Sequence, residues 1–397
     1  MIAKKMIKYV EGNSVTRAMF EEGKRMARLY GAENVYDFSL GNPSVEPPAA
    51  VKENMVKILQ EVPPNKIHGY MNNAGHEEVR GAIAKSLNAK FGTDFTEGNI
   101  LMTVGAAGGL NVILKATLDP GDEVIAFAPY FGEYNNYVAN FDGVMTAVSP
   151  HIPDFQPNLA EFEEKLTKRT KAVIINTPNN PTGVVYSEET IQKLAAILEQ
   201  KQKEFGTAIY LIADEPYREL AYDGVEVPYL TKYYANTIVG YSYSKSLSLP
   251  GERIGYLVIP KEADDYENLW NAAVIANRIL GFVNAPSLQQ LAVAQCLEEA
   301  ADISIYDANR KLLYNKLTEL GFECAKPKGA FYMWVKTKEP DDKAFAAKAK
   351  EFHLLLVPGS SFMCPGYVRI AYCVEKEMLL RSFASFEKLA AYYKEQG

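Results

Sequence analysis

The alternation of short apolar runs with longer helical patterns constrains the fold of this 397-residue chain more than any other feature. The apolar runs read NILMTVG, DEVIAFAP, KAVIINTP, AIYLIADEP, TIVGYSYS and IGYLVIP. Between them lie helical patterns such as GGLNVILKATL, SEETIQKLAAILEQKQKEF and ENLWNAAVIANRIL. Strands that are apolar throughout are typical of a parallel sheet that helices cover on both faces. We therefore predict an α/β protein with a mostly parallel sheet.

The C-terminal part of the chain has a different pattern. We expect a long helix at about 287–320, strands in FECAKPKGAFYMWVKT, LLLVPGSSF and YVRIAYC, a helix in AFAAKAKEF, and a closing helix. This mixture predicts a smaller α+β domain. We place the large domain at 49–287 and assign 1–48 and 288–397 to the small domain, on which the N-terminal segment packs. A cleft between two such lobes is a common place for a ligand.

Charge and composition exclude several classes of function. The chain has 42 Lys and Arg against 49 Asp and Glu, a net charge of −7 without a basic stripe, which argues against nucleic-acid binding. No apolar stretch is long enough for a membrane span, and the N-terminus lacks an apolar leader. The four Cys and four His show neither C-x-x-C nor H-E-x-x-H spacing, so we expect reduced thiols and no metal site. These features predict a soluble, cytoplasmic protein.

Polar residues follow three of the predicted strands, and open parallel sheets bind ligands at the carboxyl ends of their strands. A small-residue turn at 105–109 opens a helix, whose free backbone N–H groups suit a phosphate. Asp214 follows a second strand, and Ser242, Ser244 and Lys245 follow a third. Taken singly, the turn is a weak signal, Asp214 is equally typical of a helix cap, and a lone Ser-Lys is more typical of a surface lysine.

The combination is more specific than its parts. A partly buried lysine near another cation has a lowered pKa and can act as a Schiff-base amine, and Arg253 could supply that cation. The set matches pyridoxal 5′-phosphate, which has an aldehyde for Lys245, a ring nitrogen for Asp214, and a phosphate for the turn and Arg253. We therefore predict a site for this cofactor.

Along essentially its whole length, the chain resembles the fold-type I, class I and II aminotransferases. The strings that carry the resemblance are SLGNPSVEPP, HGYMNNAGHEEVRGAIA, TVGAAGGL, APYFGEY, NTPNNPTGVVYS, IADEPYREL, YSYSKSLSLPGERIGY, KPKGAFYMWV and VPGSSF with YVRIAY. The resemblance implies a large domain with a mostly parallel seven-stranded sheet and a small domain built from both termini. It also implies a homodimer with active sites at the subunit interface.

The resemblance implies a role for each matching residue around the cofactor. Lys245 matches the lysine that bonds to the cofactor and later moves a proton, and Asp214 matches the partner of the ring nitrogen. Tyr217 and Asn180 match the pair that hydrogen-bonds the phenolic oxygen. The residues that match the phosphate-binding positions are Ala106, Ala107, Ser242, Ser244 and Arg253.

Two aromatic residues complete the implied cofactor site. Phe131 matches the ring that stacks on the pyridine, and its neighbour Tyr130 is the choice that a shifted alignment would make. Tyr70 matches a tyrosine that reaches the phosphate of the other subunit, so each site would need a dimer.

On the substrate side, Arg369 matches the arginine whose planar fork binds the α-carboxylate, supported by Gly41 and Asn180. Ala107 stands where some aspartate-using relatives carry a lysine for the distal carboxylate, which leaves Arg278 and Arg17 as candidates for that task. We expect a ping-pong aminotransferase with aspartate as the preferred donor and 2-oxoglutarate as the acceptor. Aromatic or alanine-type donors remain open, as does a lyase or decarboxylase on the same scaffold. A cofactor-binding regulator is disfavoured because no basic recognition helix is present.

Overall fold

The structure is a computed structural model that describes residues 1–11 and 15–396. The strands formed by these residues are β1 (Tyr36–Asp37), β2 (Ile100–Thr103), β3 (Glu123–Phe127), β4 (Val144–Val148), β5 (Thr170–Asn176), β6 (Tyr210–Asp214), β7 (Thr237–Ser242), β8 (Gly255–Val258), β9 (Cys324–Ala325), β10 (Tyr332–Lys336), β11 (Leu354–Leu355), β12 (Val357–Pro358) and β13 (Tyr367–Ala371).

The same residues form the helices α1 (Lys4–Glu11), α2 (Val15–Tyr30), α3 (Ala49–Glu61), α4 (Pro64–His68), α5 (Glu77–Phe91), α6 (Gly105–Thr117), α7 (Glu133–Asn140), α8 (Leu159–Lys165), α9 (Glu188–Phe205), α10 (Tyr243–Ser246), α11 (Tyr266–Ile279), α12 (Ser287–Val293), α13 (Ser304–Glu319), α14 (Asp342–Glu351) and α15 (Lys376–Gln396). Short 3₁₀ helices lie at Ala32–Asn34, Glu97–Asn99, Leu230–Lys232 and Gly359–Phe362. Within 1–11 and 15–396, none of the helices combines the length and apolar character that a bilayer crossing requires.

The main sheet has seven strands in the order β2-β8-β7-β6-β5-β3-β4. All neighbouring pairs are parallel except those made by β8, which runs antiparallel to β2 and β7. The predicted α/β fold with a mostly parallel seven-stranded sheet is therefore confirmed. All six predicted strands are present, and the seventh, β4, lies at the sheet edge and is half exposed.

A four-stranded antiparallel sheet in the order β12-β13-β10-β9 lies in the C-terminal part, and β1 pairs in parallel with β11. The predicted helix at 287–320 is wrong, because the chain leaves the helical path between α12 and α13. There the Ala301 N–H donates to the Ser246 carbonyl at 2.8 Å, and Asp302 accepts from the Ser304 N–H at 3.0 Å. A contact with the end of helix α10 thus replaces one helical bond.

The carboxyl ends of the parallel strands meet at one edge of the main sheet. The strands β3, β6, β7 and β8 are buried along their whole length, as their continuous apolar sequences predict. Helix α12 packs against α3, so the chain just past residue 287 still contacts the large lobe. The domain boundaries at 48/49 and 287/288 stay predictions.

Candidate active site

A cleft of about 750 Å³ opens at the carboxyl edge of the main sheet. Its walls come from the loop after β1, from the ends of β6 and β7, and from β10 and β13 of the smaller sheet. Every predicted site residue except Tyr70 lines it: Gly41, Ala106, Ala107, Phe131, Asn180, Asp214, Tyr217, Ser242, Ser244, Lys245, Arg253 and Arg369. The structure thus brings together side chains that are far apart in the sequence.

Lys245 lies in the short helix α10, directly after β7, and its side chain enters the cleft. The Nζ atom donates to the Gly41 carbonyl at 2.6 Å and lies 5.3 Å from the centre of the Phe331 ring. Burial lowers the pKa of Lys245 to about 8, with Arg369 and Arg253 as smaller causes. About a tenth of the amine is therefore neutral, and hence nucleophilic, at pH 7, far more than for an ordinary lysine.

Asp214 is the last residue of β6 and is buried at the floor of the cleft. Its Oδ2 accepts from the Tyr134 hydroxyl at 2.5 Å, whereas Oδ1 has no hydrogen-bond partner in the described part of the chain. Burial raises the pKa of Asp214 to about 7. The carboxylate therefore lacks a hydrogen-bond donor at Oδ1 and a positive charge beside it. A cationic N–H donor placed at Oδ1 would supply both.

The sequence reasoning missed Tyr134, which lies in α7, and Asn176 at the end of β5. Asn176 donates from Nδ2 to the Asp214 carbonyl at 2.7 Å and accepts at Oδ1 from the Asn180 N–H at 2.7 Å. Both residues occur in strings that carry the family resemblance. Their role depends on contacts between distant segments, which the strings alone do not reveal.

The opposite end of the cleft is suited to a phosphate. Helix α6 begins at Gly105, whose φ of +68° favours glycine, and a Cβ there would lie 2.9 Å from a terminal nitrogen of Arg253. The hydroxyls of Ser242 and Ser244 are 2.7 Å apart. Backbone N–H groups at a helix N-terminus, two hydroxyls and a guanidinium form a donor set for an anion. Tyr137 also lines this region and was not predicted.

Arg369 is buried in β13, with its guanidinium in the cleft. Nη1 donates to Asn180 Oδ1 at 3.0 Å and Nη2 donates to the Ser39 carbonyl at 2.5 Å. Its Nε has no hydrogen-bond partner within the described residues. A buried guanidinium that has no carboxylate partner is stabilised by a bound anion. The planar guanidinium can bind the two oxygens of a carboxylate through two parallel hydrogen bonds.

The structure distinguishes Phe131 from Tyr130, the two candidates in Pro-Tyr-Phe for the stacking position. Phe131 lines the cleft and packs edge-on against Tyr134, with ring centroids 5.7 Å apart. Tyr130 is buried and bonds through its hydroxyl to Asn135. Phe131 is thus placed to stack on a ring in the cleft.

Tyr70 and the candidate Arg278 lie elsewhere. Tyr70 is 96% exposed and does not line the cleft. Arg278 lies exposed on α11, and Arg17 lies in α2 with a side chain outside the described residues. No group of three or more His, Cys, Asp or Glu side chains that could hold a metal occurs in the described part of the chain.

Comparison with known proteins adds to this geometry. A protein-family model described as aminotransferase class I and II matches residues 33–385. The aspartate aminotransferase of Thermotoga maritima is 29% identical over 94% of this chain and 96% of its own length, and that of Pyrococcus horikoshii is 30% identical over 94% of both.

Solved structures agree with these relatives. An amino transferase from Eubacterium rectale has a TM-score of 0.97 at 47% identity and covers 99% of both chains. Aspartate aminotransferase from Thermus thermophilus with maleate has a TM-score of 0.85 at 29% identity, covering 95% of this chain and 97% of that one.

Proposed function

Because this chain belongs to the class I and II aminotransferases, a family that depends on pyridoxal 5′-phosphate, we propose that its cleft moves an amino group from L-aspartate to a 2-oxo acid such as 2-oxoglutarate. The two half-reactions use the same cleft in turn, in a ping-pong cycle. The donor rests on the relatives from Thermotoga maritima and Pyrococcus horikoshii, which are named aspartate aminotransferases.

The unpartnered Oδ1 of Asp214 is the observation that carries the proposal. A buried carboxylate oxygen without a donor costs free energy, and a ligand that donates to Asp214 Oδ1 would remove that cost. The protonated ring nitrogen of pyridoxal phosphate is a donor of the right charge. Lys245 and the phosphate-binding end line the same cleft, so the residues present fit this cofactor.

When bound, pyridoxal phosphate supplies an aldehyde for amino groups and a ring that accepts electrons from the substrate α-carbon. Asp214 would keep the ring nitrogen protonated, because an anion beside it favours the charged form. Lys245, with its lowered pKa, would carry a proton at Nζ between the substrate α-carbon and the aldehyde carbon of the cofactor. Tyr217 and Asn180 would hold the phenolic oxygen.

Arg369 orients the donor through its α-carboxylate. Asn180 and the Ser39 carbonyl hold the guanidinium in place before substrate arrives, so little ordering remains to be done on binding. Gly41 closes the same side, and its carbonyl already accepts from Lys245. Both the reacting amine and the clamp are thereby preorganised.

We also propose the other cofactor contacts that the sequence predicts. The backbone of Ala106 and Ala107, the hydroxyls of Ser242 and Ser244, and Arg253 bind the phosphate, and Phe131 stacks on the ring. Tyr70, fully accessible in one chain, reaches the phosphate across a homodimer. Arg278 and Arg17 stay candidates for binding the distal carboxylate. A cytoplasmic location is also part of the proposal, in keeping with four free cysteines.

Product analysis tests the proposal. The protein is supplied with pyridoxal phosphate, aspartate and 2-oxoglutarate, and we expect oxaloacetate and glutamate in equal amounts. Alanine and phenylalanine serve as competing donors in parallel reactions. Formation of ammonia, pyruvate or carbon dioxide without glutamate would instead identify a lyase or decarboxylase.

A further inference from the structure

Tyr332 is a buried residue of the cleft to which the mechanism above gives no role. It begins β10 and pairs with Ala371 of β13, two residues beyond Arg369. Its ring lies under the Arg369 guanidinium, 4.5 Å from the carbon to the ring centre. Its hydroxyl meets the Tyr217 hydroxyl at 2.9 Å. One side chain thus contacts residues that we assign to the α-carboxylate and to the cofactor ring.

The position of the Tyr332 hydroxyl is fixed from two sides. Besides the Tyr217 contact, it packs against the backbone of Gly41 so closely that a Cβ on Gly41 would lie 2.0 Å from it. The Gly41 carbonyl accepts from Lys245 Nζ. Glycine is therefore required at this position by the tyrosine, and the Tyr332 hydroxyl has little freedom to turn elsewhere.

The role proposed for Tyr217 fixes the direction of the hydrogen bond between the two hydroxyls. Burial raises the pKa of both tyrosines, so each hydroxyl is neutral and carries one hydrogen. The Tyr217 hydrogen is needed for the phenolic oxygen of the cofactor, and the Tyr332 hydroxyl lies 2.9 Å from the Tyr217 oxygen. In the cofactor-loaded protein the Tyr332 O–H therefore donates to the Tyr217 oxygen.

We propose that Tyr332 is a positioning residue whose hydroxyl donates to Tyr217 and thereby aims the Tyr217 O–H at the phenolic oxygen of the bound cofactor. This inference rests on the proposed function. A donor that is itself hydrogen-bonded at its oxygen is polarised and donates more strongly. Tyr332 therefore stabilises the deprotonated form of the cofactor chromophore through Tyr217, without touching it.

The test is a pH titration of the visible absorbance of the cofactor-loaded protein. In Tyr332→Phe we expect the absorbance midpoint to rise by about half a pH unit, because polarisation contributes roughly a quarter of a charged hydrogen bond. In Tyr217→Phe we expect a rise of about one to two units. In the double variant, Tyr332→Phe should add no further shift, because its effect passes through Tyr217.

The control is Tyr222→Phe, which removes a buried hydroxyl that donates to the Ala330 carbonyl outside the cleft. Its midpoint should stay at the wild-type value. A wild-type midpoint in Tyr332→Phe, a midpoint that falls, or an equal shift in the Tyr217→Phe background would each overturn the inference. Absence of a cofactor band in the wild-type protein would instead overturn the proposed function, so the two failures are distinguishable.

Discussion

Replacing Asp214 with asparagine should stabilise the cofactor-free protein at alkaline pH, although it removes a residue that we place in the active site. The reason is the burial of the carboxylate, which raises its pKa from 3.8 to about 7 in the folded chain. The folded state therefore prefers the neutral acid, and it resists the ionisation that the unfolded chain undergoes freely. Asparagine has nearly the same shape and never ionises.

The sign and size of the effect follow from linkage. Because the folded pKa is raised, ionisation destabilises the fold as the pH rises from the unfolded pKa through the folded one. Well above pH 7 the full shift of about 3 units costs about 4 kcal/mol, whereas at pH 5 the cost is roughly 1–2 kcal/mol. The stability difference between Asp214→Asn and the wild type should thus favour the variant by roughly 2–3 kcal/mol more at pH 8 than at pH 5.

The assay is urea unfolding of both cofactor-free proteins at pH 5 and pH 8, followed by circular dichroism. Comparing two pH values cancels any pH-independent cost of the amide, and Tyr134 can still donate to the amide oxygen. Asp94→Asn, at an exposed aspartate, serves as the matched control and should show no such change. An equal stability difference at both pH values would refute the claim that burial holds Asp214 in its neutral form.

Three further substitutions test separate contacts of the cleft. Lys245→Ala should lower kcat by at least ~10²–10⁴-fold, the range for loss of an acid–base group. Normal turnover in this variant would show that Lys245 is not the catalytic lysine. Arg369→Lys loses one arm of the fork, so kcat/KM for the donor should fall ~10–100-fold, and an unchanged value would show that another residue holds the α-carboxylate. Tyr134→Phe removes the hydroxyl that donates to Asp214 Oδ2 in the cofactor-free protein. The cofactor affinity, measured by absorbance titration, should change ~10-fold or more. An unaltered affinity would contradict a supporting role for Tyr134.

The central strands of the main sheet were predictable because burial on both faces makes their sequences apolar throughout. The edge strand β4 gives no such signal, since Val144 is exposed, Val148 is buried and the residues between them are only partly buried. The break between α12 and α13 was also missed. There the Ala301 N–H bonds to the carbonyl of Ser246, a residue more than fifty positions away. The helical periodicity of the sequence does not indicate that contact.

The site was predictable wherever one residue type is tied to one chemical task. A lysine amine, an aspartate after a strand and an arginine fork are such cases, and all three lie in the cleft. The residues that hold them were not predictable in this way. Tyr134 and Tyr332 act through hydroxyls that reach Asp214 and Tyr217 across large sequence separations, and a tyrosine in an apolar string is equally typical of a core.

Visible absorption during addition of single amino acids tests the central claim most directly. The purified protein is supplied with pyridoxal phosphate, and aspartate, alanine and phenylalanine are added in separate titrations. The account predicts that aspartate converts the cofactor band to the pyridoxamine form and that 2-oxoglutarate restores it. A protein that shows no cofactor band, or a band that no amino acid converts, would contradict it.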